Sequence, residues 1–280
     1  MTSLPKISIV TVCYNCHDVI ERTIRNVLRQ TYPNVEYIVI DGGSTDGTRE
    51  IVERYADRLA YWVSEPDGGI YEAMNKGISK ASGEWILFRN AGDYFFKSTT
   101  IEDVFRWYED KGETLIIGGM RCFGQSGFYD KSYQPKDANV WHRAYVPHPS
   151  TFIRLTVQKA NPYPTSFRIA GDYYFFQNLM LKGCAITRYE DIVSLFDCES
   201  GISTTQLARS RKEMLQIMQQ LGAPQHIMKA ARRKYRRIKM WQTLISILRK
   251  NKWLYRIYEN NRHQPEGWTL QPIKLTLKDA

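Results

Sequence analysis

The stretch Tyr37–Gly47 reads YIVIDGGSTDG. Tyr37, Ile38, Val39 and Ile40 form a short continuous apolar run, the pattern of a strand buried on both faces. Asp41 ends it. The turn that follows has almost no side-chain bulk, and a helical pattern starts at Thr48. A carboxylate at the carboxyl end of a parallel strand, beside an open loop, is a place to hold a nucleotide. A second strand-then-acid unit, WILFRNAGD, runs from Trp85 to Asp93. Two acids on two strand ends suit a base or ribose and a metal on a diphosphate.

Outward from these units the chain alternates. Ile7–Cys13 is rich in β-branched residues and reads as the first strand. Asp18–Gln30 carries Val19, Ile20, Ile24, Val27 and Leu28 at helical spacing. Thr48–Tyr55 reads as a short helix, Leu59–Ser64 as a strand, Ile70–Ala81 as a helix and Trp85–Arg89 as a strand. This β-α-β-α-β-α-β order over about ninety residues predicts a mostly parallel sheet with right-handed crossovers. Beyond Asp93 the period weakens: a helix over Ile101–Asp110, a strand over Thr114–Gly118, a helix over Asp172–Lys182 and a strand over Ala185–Arg188 are expected. The expected organisation is a nucleotide-binding half over residues 1–100, an acceptor-binding half of the same domain over 101–204, and a basic helical extension over 205–280.

The chain has 280 residues, 43% hydrophobic and 24% charged, which is ordinary for a globular protein. Its net charge of +10 is unevenly spread. Residues 1–200 hold 22 Lys and Arg against 25 Asp and Glu, whereas residues 201–280 hold 17 against 4. The basicity belongs to the C-terminal extension and needs its own explanation. Neither end reads as a signal peptide, and no stretch approaches the ~18–20 apolar residues of a spanning helix. The expectation is a cytosolic protein. Five scattered cysteines do not resemble a disulfide framework, and the C-x-x-C of Cys13 and Cys16 lacks a second pair at zinc spacing. No G-x-G-x-x-G follows the first strand, which disfavours a dinucleotide-dependent enzyme.

SIVTVCYN, IDGGSTDGT, EPDGGIYEAMNKGI, LFRNAGD and AGDYYFF, in this order over roughly residues 5–200, resemble the inverting family 2 glycosyltransferases of GT-A fold. The likeness is nearest to the bacterial group that builds extracellular polysaccharide, colanic acid or O-antigen. It implies an α/β fold and transfer of a sugar from a nucleoside-diphosphate sugar, UDP favoured, to a hydroxyl of a lipid-linked or oligosaccharide acceptor.

Candidates for each task then follow. Asp41 can accept a hydrogen bond from a pyrimidine or purine N–H, and the resemblance places the base there. Thr11 and Tyr14, at the end of the first strand, either frame the base or pack the strand. Asp67 lies near base and ribose by resemblance, or merely forms a turn before Gly68 and Gly69. Asn75 matches an Asn that faces the nucleotide pocket. Lys76 either approaches phosphate or is a solvated helix residue. Asp93 is the metal candidate, for Mn²⁺ or Mg²⁺. Here the usual Asp-x-Asp is reduced to Asn90-Ala91-Gly92-Asp93, with Asn90 beside the donor, so weak metal affinity is expected. Asp172 is the base candidate by resemblance, and an Asp there also suits a helix N-cap. His148 lies on the acceptor side by resemblance, or is structural. The aromatics Phe123, Phe128, Tyr129, Tyr133, Trp141 and Tyr145 suit sugar stacking or an irregular core.

Residues 226–258 carry Ile227, Ala231, Tyr235, Ile238, Trp241, Ile245 and Leu248 at steps of three and four, with Arg232, Arg233, Arg236, Arg237 and Lys239 largely off that stripe and Trp253 beyond. This pattern predicts an in-plane helix on an anionic membrane surface, each basic residue worth about 1 kcal/mol. The enzyme is then peripheral on the inner face of the cytoplasmic membrane. The other expectation is a hairpin packed on the body or on a second subunit. Two competing classes are a sugar nucleotidyltransferase, which wants a phosphate loop that CYNCHD lacks, and a nucleic-acid-binding protein, prompted by the basic extension.

Overall fold

A computed structural model describes residues 4–124, 127–133, 141, 146–199 and 201–250, with the backbone alone at residues 245, 246 and 248–250. Tyr145, Trp253 and the rest of residues 251–258, and the side chains of Ile245 and Leu248, named above, lie outside the described residues.

The first half alternates as the sequence pattern requires: β1 (Ile7–Cys13), α1 (His17–Leu28), β2 (Val35–Asp41), α2 (Thr48–Glu53), β3 (Tyr61–Ser64), α3 (Ile70–Lys80) and β4 (Trp85–Phe88). Then follow β5 (Tyr94–Phe95), α4 (Thr100–Trp107), β6 (Leu115–Gly124), β7 (Gly127–Lys131), β8 (Thr151–Arg154), α5 (Leu155–Ala160), α6 (Gly171–Leu181) and β9 (Ile186–Asp197). The chain closes with α7 (Ile202–Thr205), α8 (Leu207–Gln220) and α9 (Gln225–Lys250). The strands form one sheet in the order β3-β2-β1-β4-β8-β6-β9-β5, with β7 on β6. β3, β2, β1 and β4 are mutually parallel, so their carboxyl ends share one edge. β8 runs antiparallel to both β4 and β6, and β9 parallel to β6. One sheet therefore runs through both expected halves, 1–100 and 101–204.

Continuous burial of β1, β2 and β4 follows from helices on both faces. Val10, Val12, Ile38, Ile40, Ile86 and Phe88 pack beneath α3 and α6. Ile7, Ile9, Tyr37, Val39, Trp85 and Leu87 face α1, α2 and α4. Successive strand residues point to opposite faces, and each such side chain contributes about 1.5–3 kcal/mol on burial. β8 and α5 were absent from the sequence reading, and β9 runs well past Arg188, because their apolar runs are short or interrupted by polar residues.

One polar clamp fixes the other edge of this sheet. Glu36, buried on β2, accepts from Lys6 Nζ at 2.8 Å, Ser8 Oγ at 2.6 Å, Ser82 Oγ at 2.6 Å and Ser82 N at 2.7 Å. Burial alone raises a carboxyl's pKa, but these donors outweigh it and bring Glu36 down to about 2. A carboxylate held lower in the folded chain adds stability above its unfolded value of 4.5, lost as pH falls towards 2. Glu36→Gln is therefore expected to cost about 2–3 kcal/mol at pH 7 and much less at pH 2.5, read from urea midpoints at both pH values.

The C-terminal extension is not separate from the body. α8 buries Ser210, Glu213, Ile217 and Met218, and Ile227 and Met228 of α9 pack with them. From Arg232 onward α9 is mostly exposed. Physically, α8 covers the apolar Phe167 and Ala170 that precede α6.

Candidate active site

The parallel strand ends bring together Cys13, Asp41, Ser64 and the Arg89–Asp93 turn. Asp41 is fully buried, and its carboxylate is turned into its own loop. It accepts from Ser44 N at 3.0 Å, from Ser44 Oγ, from Ser64 Oγ at 2.6 Å and from Cys13 Sγ at 3.5 Å. Asp41 is thus satisfied as a buried acid must be, and it shapes the loop. A second, half-buried carboxylate lies beside it. A Cβ on Gly42 would meet Asp67 Oδ2 at 2.7 Å, so the absence of a side chain at Gly42 makes room for Asp67 over the tip of β2. Asp67 Oδ1 meanwhile accepts from Gly69 N at 2.8 Å.

Other expected donor residues divide in the same way. Thr11 is fully buried, its hydroxyl donating to Arg89 O at 2.7 Å and sharing a 2.9 Å bond with Tyr37 Oη. It packs the strand and cannot frame a base. Tyr14 is 65% exposed, next to Asn15 in the left-handed region at φ 48°. Asn75 spends both ends of its amide on Tyr163, donating to its O at 2.8 Å and accepting from its N at 2.9 Å. It tethers the segment before α6 and does not face a nucleotide. Lys76 pairs with Glu65 at 2.9 Å and donates to Pro66 O at 3.3 Å, tying the Asp67 loop to α3.

Asp93 is buried, and burial pushes its carboxyl up to about 7, with Arg89 opposing the rise and Asp197 adding to it. The pairing of Tyr94 with Leu195 sets Asp93 and Asp197 at the same end of the β5–β9 ladder. Asn90 Oδ1 is buried and finds no hydrogen-bond partner among the described residues. An oxygen-only set with an orphaned amide oxygen fits a hard divalent cation. Two carboxylates are fewer than a dense protein cage supplies; among the described residues no group of three or more Asp, Glu, His or Cys gathers around a metal position.

Asp172 lies in the first turn of α6. Its Oδ1 accepts from Tyr71 Oη at 3.0 Å and from Tyr173 N at 2.8 Å. The one Tyr71 hydroxyl hydrogen is shared between Asp172 and Ile169 O, which lies 2.7 Å from Oη. A Cβ on Gly171 would sit 2.9 Å from the Tyr71 ring, so the glycine admits this contact. Tyr71 lies in the first turn of α3, directly after the Asp67–Gly69 loop, so its phenol links that loop's helix to Asp172. His148, expected on the acceptor side, is buried beneath the site. Burial holds its imidazole below the ordinary value, hence neutral at pH 7, with Asp172 opposing. It shares a 2.9 Å bond with Tyr163 Oη among the rings of Phe88 and Phe176, the structural one of its two expected readings. Tyr133 and Trp141 join or pack against the core. Arg121 lies over the Phe128 ring, and Phe123 O accepts from Cys198 Sγ. Tyr71, Asp197 and Arg168 were missed, since a lone Tyr, Asp or Arg outside a strand-end pattern carries no signal in one sequence.

The glycosyl transferase family 2 profile matches residues 8–174. The chain is 34% identical over 181 residues to an uncharacterized glycosyltransferase of Mycobacterium tuberculosis, covering 62% of this chain and 69% of the relative. It is 27% identical over 227 residues to a PGL/p-HBAD biosynthesis glycosyltransferase of Mycobacterium bovis, covering 78% and 87%. Among solved structures, residues 1–349 of Staphylococcus aureus TarS in complex with UDP-GlcNAc superpose with a TM-score of 0.63 at 20% identity, covering 79% of this chain and 67% of that one. The mannosyltransferase PcManGT of Pyrobaculum calidifontis with GDP-Man and Mn²⁺ gives 0.64 at 18% identity, covering 94% and 78%. These structural likenesses support the GT-A fold.

Proposed function

We propose, for a chain that belongs to glycosyl transferase family 2, that it inverts the anomeric centre as it moves a sugar from a nucleoside-diphosphate sugar to a lipid-linked or oligosaccharide hydroxyl in surface-glycan synthesis. The observation that carries this reading is the 3.0 Å contact from Tyr71 to Asp172, which fixes a carboxylate at the start of α6 against the helix that follows the Asp67 loop. The acceptor oxygen attacks the anomeric carbon, its proton passes to Asp172, and the bond to the diphosphate oxygen breaks. Tyr14 stacks on the base and Asp67 accepts from base or ribose, in the place first expected of Asp41. Asp93 and Asn90, with Asp197 beside them, would hold Mn²⁺ or Mg²⁺. When bound, that ion supplies Lewis-acid stabilisation of the leaving diphosphate. UDP is favoured, and the solved neighbours carrying UDP-GlcNAc and GDP-Man make both nucleotides the ones to test. Thermal-shift screening with UDP, GDP, CMP and dTDP, with and without Mn²⁺, is expected to show stabilisation by one diphosphate only in the presence of metal. Equal shifts by all four, or none, contradict the reading.

The extension supports a place at the membrane surface. Among the described residues no helix is long and apolar enough to cross a membrane. Lys229, Arg232, Arg233 and Arg236 line a groove along α9, and Met240, Trp241, Leu244 and Ile247 are 43–65% exposed further along it. That exposed row differs from the stripe read in the sequence, because Ile227 and Ala231 pack on α8. Basic charge followed by an apolar row suits the anionic inner face of the cytoplasmic membrane. The full chain is expected to float with phosphatidylglycerol vesicles, and a chain cut after residue 231 to stay in the pellet. Unchanged flotation of the cut chain contradicts the proposal, and a salt-dependent shift of random oligonucleotides without flotation favours a nucleic acid instead.

A further inference from the structure

Glu213 lies beyond the span that the family profile matches, on α8, and is only 8% exposed. A buried carboxylate so far from the strand ends needs a reason, because desolvation is costly unless its oxygens are filled. They are filled by main chain. Oε2 accepts from Arg168 N at 3.1 Å, Ile169 N at 2.8 Å and Ala170 N at 3.0 Å. Oε1 accepts from Arg168 N at 3.2 Å and from Arg209 Nε at 3.4 Å. These are the three residues that lead into α6, whose own Ala170 cap makes no side-chain capping bond. The negative charge also sits at the positive end of the helix dipole.

What this clamp holds is the approach to Asp172. The Ile169 amide is gripped from both sides: its N–H by Glu213, its neighbouring carbonyl by Tyr71. The same Tyr71 hydroxyl contacts Asp172 Oδ1. One residue earlier, Arg168 Nη1 donates to Gly68 O in the Asp67 loop. Segment 168–170 therefore connects α8, the donor loop and the carboxylate of α6. Ile217, fully buried one turn further along α8, packs on Phe167 and Ala170 without touching the amides.

We propose that Glu213 is a positioning residue for transfer: by binding the 168–170 amides it fixes Asp172 against Tyr71, so the helical extension completes the active site. The proposal rests on the reading of Asp172 as the base. Its test compares Glu213→Ala, Glu213→Gln and Ile217→Ala with the native chain. Hydrogen exchange of residues 166–173 needs no ligand and comes first. Exchange at Ile169 and Ala170 is expected to quicken at least about tenfold in Glu213→Ala and less in Glu213→Gln, which keeps one acceptor oxygen. With the diphosphate sugar selected by thermal shift, kcat is expected to fall in the same order while the donor KM holds. Ile217→Ala should lower Tm with kcat retained. Unchanged exchange in Glu213→Ala overturns the proposal, as do full kcat in Glu213→Ala or loss of kcat in Ile217→Ala in proportion to Tm. Asp172→Asn run alongside separates the two failures: if it stays fully active the base assignment is wrong, whereas if it is inactive and Glu213→Ala is not, only the positioning role is.

Discussion

Asp172→Asn is expected to lower turnover by about 10²- to 10⁴-fold, the range of a positioned general base, while donor affinity stays within about twofold. The separation follows from geometry. Asp172 opens α6 and touches Tyr71 and the Tyr173 amide, whereas Tyr14 and Asp67 lie at the ends of β1 and β3. Asparagine retains an oxygen for both bonds but cannot take a proton at neutral pH. Tyr71→Phe keeps the ring against Gly171 and removes the hydroxyl, so it should lose less, with the loss in kcat. Initial rates across donor concentration, with binding followed by titration, check both variants. Native turnover by Asp172→Asn would remove the base from this site.

Asp93→Asn carries the second large effect. Lewis-acid stabilisation of a leaving diphosphate is worth several kcal/mol, so turnover is expected to fall about 10³-fold. Chelation of the native enzyme should lower it to the same level, and added Mn²⁺ should leave the variant unchanged. The same substitution has an opposite effect on the metal-free fold. Burial holds the Asp93 carboxyl at about 7 against 3.8 unfolded. A carboxyl raised on folding costs stability above its folded value, and that cost vanishes below its unfolded one. Metal-free Asp93→Asn should therefore melt higher than the native chain at pH 8 and alongside it near pH 4. Differential scanning calorimetry at both pH values measures this. Such a residue, kept at a cost to the fold, is what a functional site leaves behind.

Much of the architecture is legible in the sequence because its parallel half is written in continuous apolar runs. Ile7–Cys13 and Trp85–Phe88 can sit only where both faces are covered, and the turns after Asp41 and Asp93 mark the strand ends. Strand pairing in the second half is not legible: Thr151–Arg154 is four residues, and its insertion between β4 and β6 is a long-range choice. The site was legible by address and less so by side chain. Asp41, Thr11, Asn75 and His148 lie where expected in the chain. Their polar atoms are taken up by Ser44 and Ser64, Arg89 and Tyr37, Tyr163 N and O, and Tyr163 Oη, partners separated by up to 88 residues. Only folding reveals that such a group is occupied. It also shows that Gly42 leaves its place to Asp67, and that Glu213 on α8 binds the amides leading into Asp172.

The proposed donor site lies at the shared edge of β1–β4, with a cation at Asp93 and the transferring sugar between it and Asp172. A crystal of the full chain grown with UDP and Mn²⁺, measured at the manganese edge, tests this most directly. The expected result is an anomalous peak within coordination distance of Asp93, with uracil against Tyr14 and Asp67. A nucleotide bound away from the strand ends, or a manganese peak remote from Asp93, would contradict it.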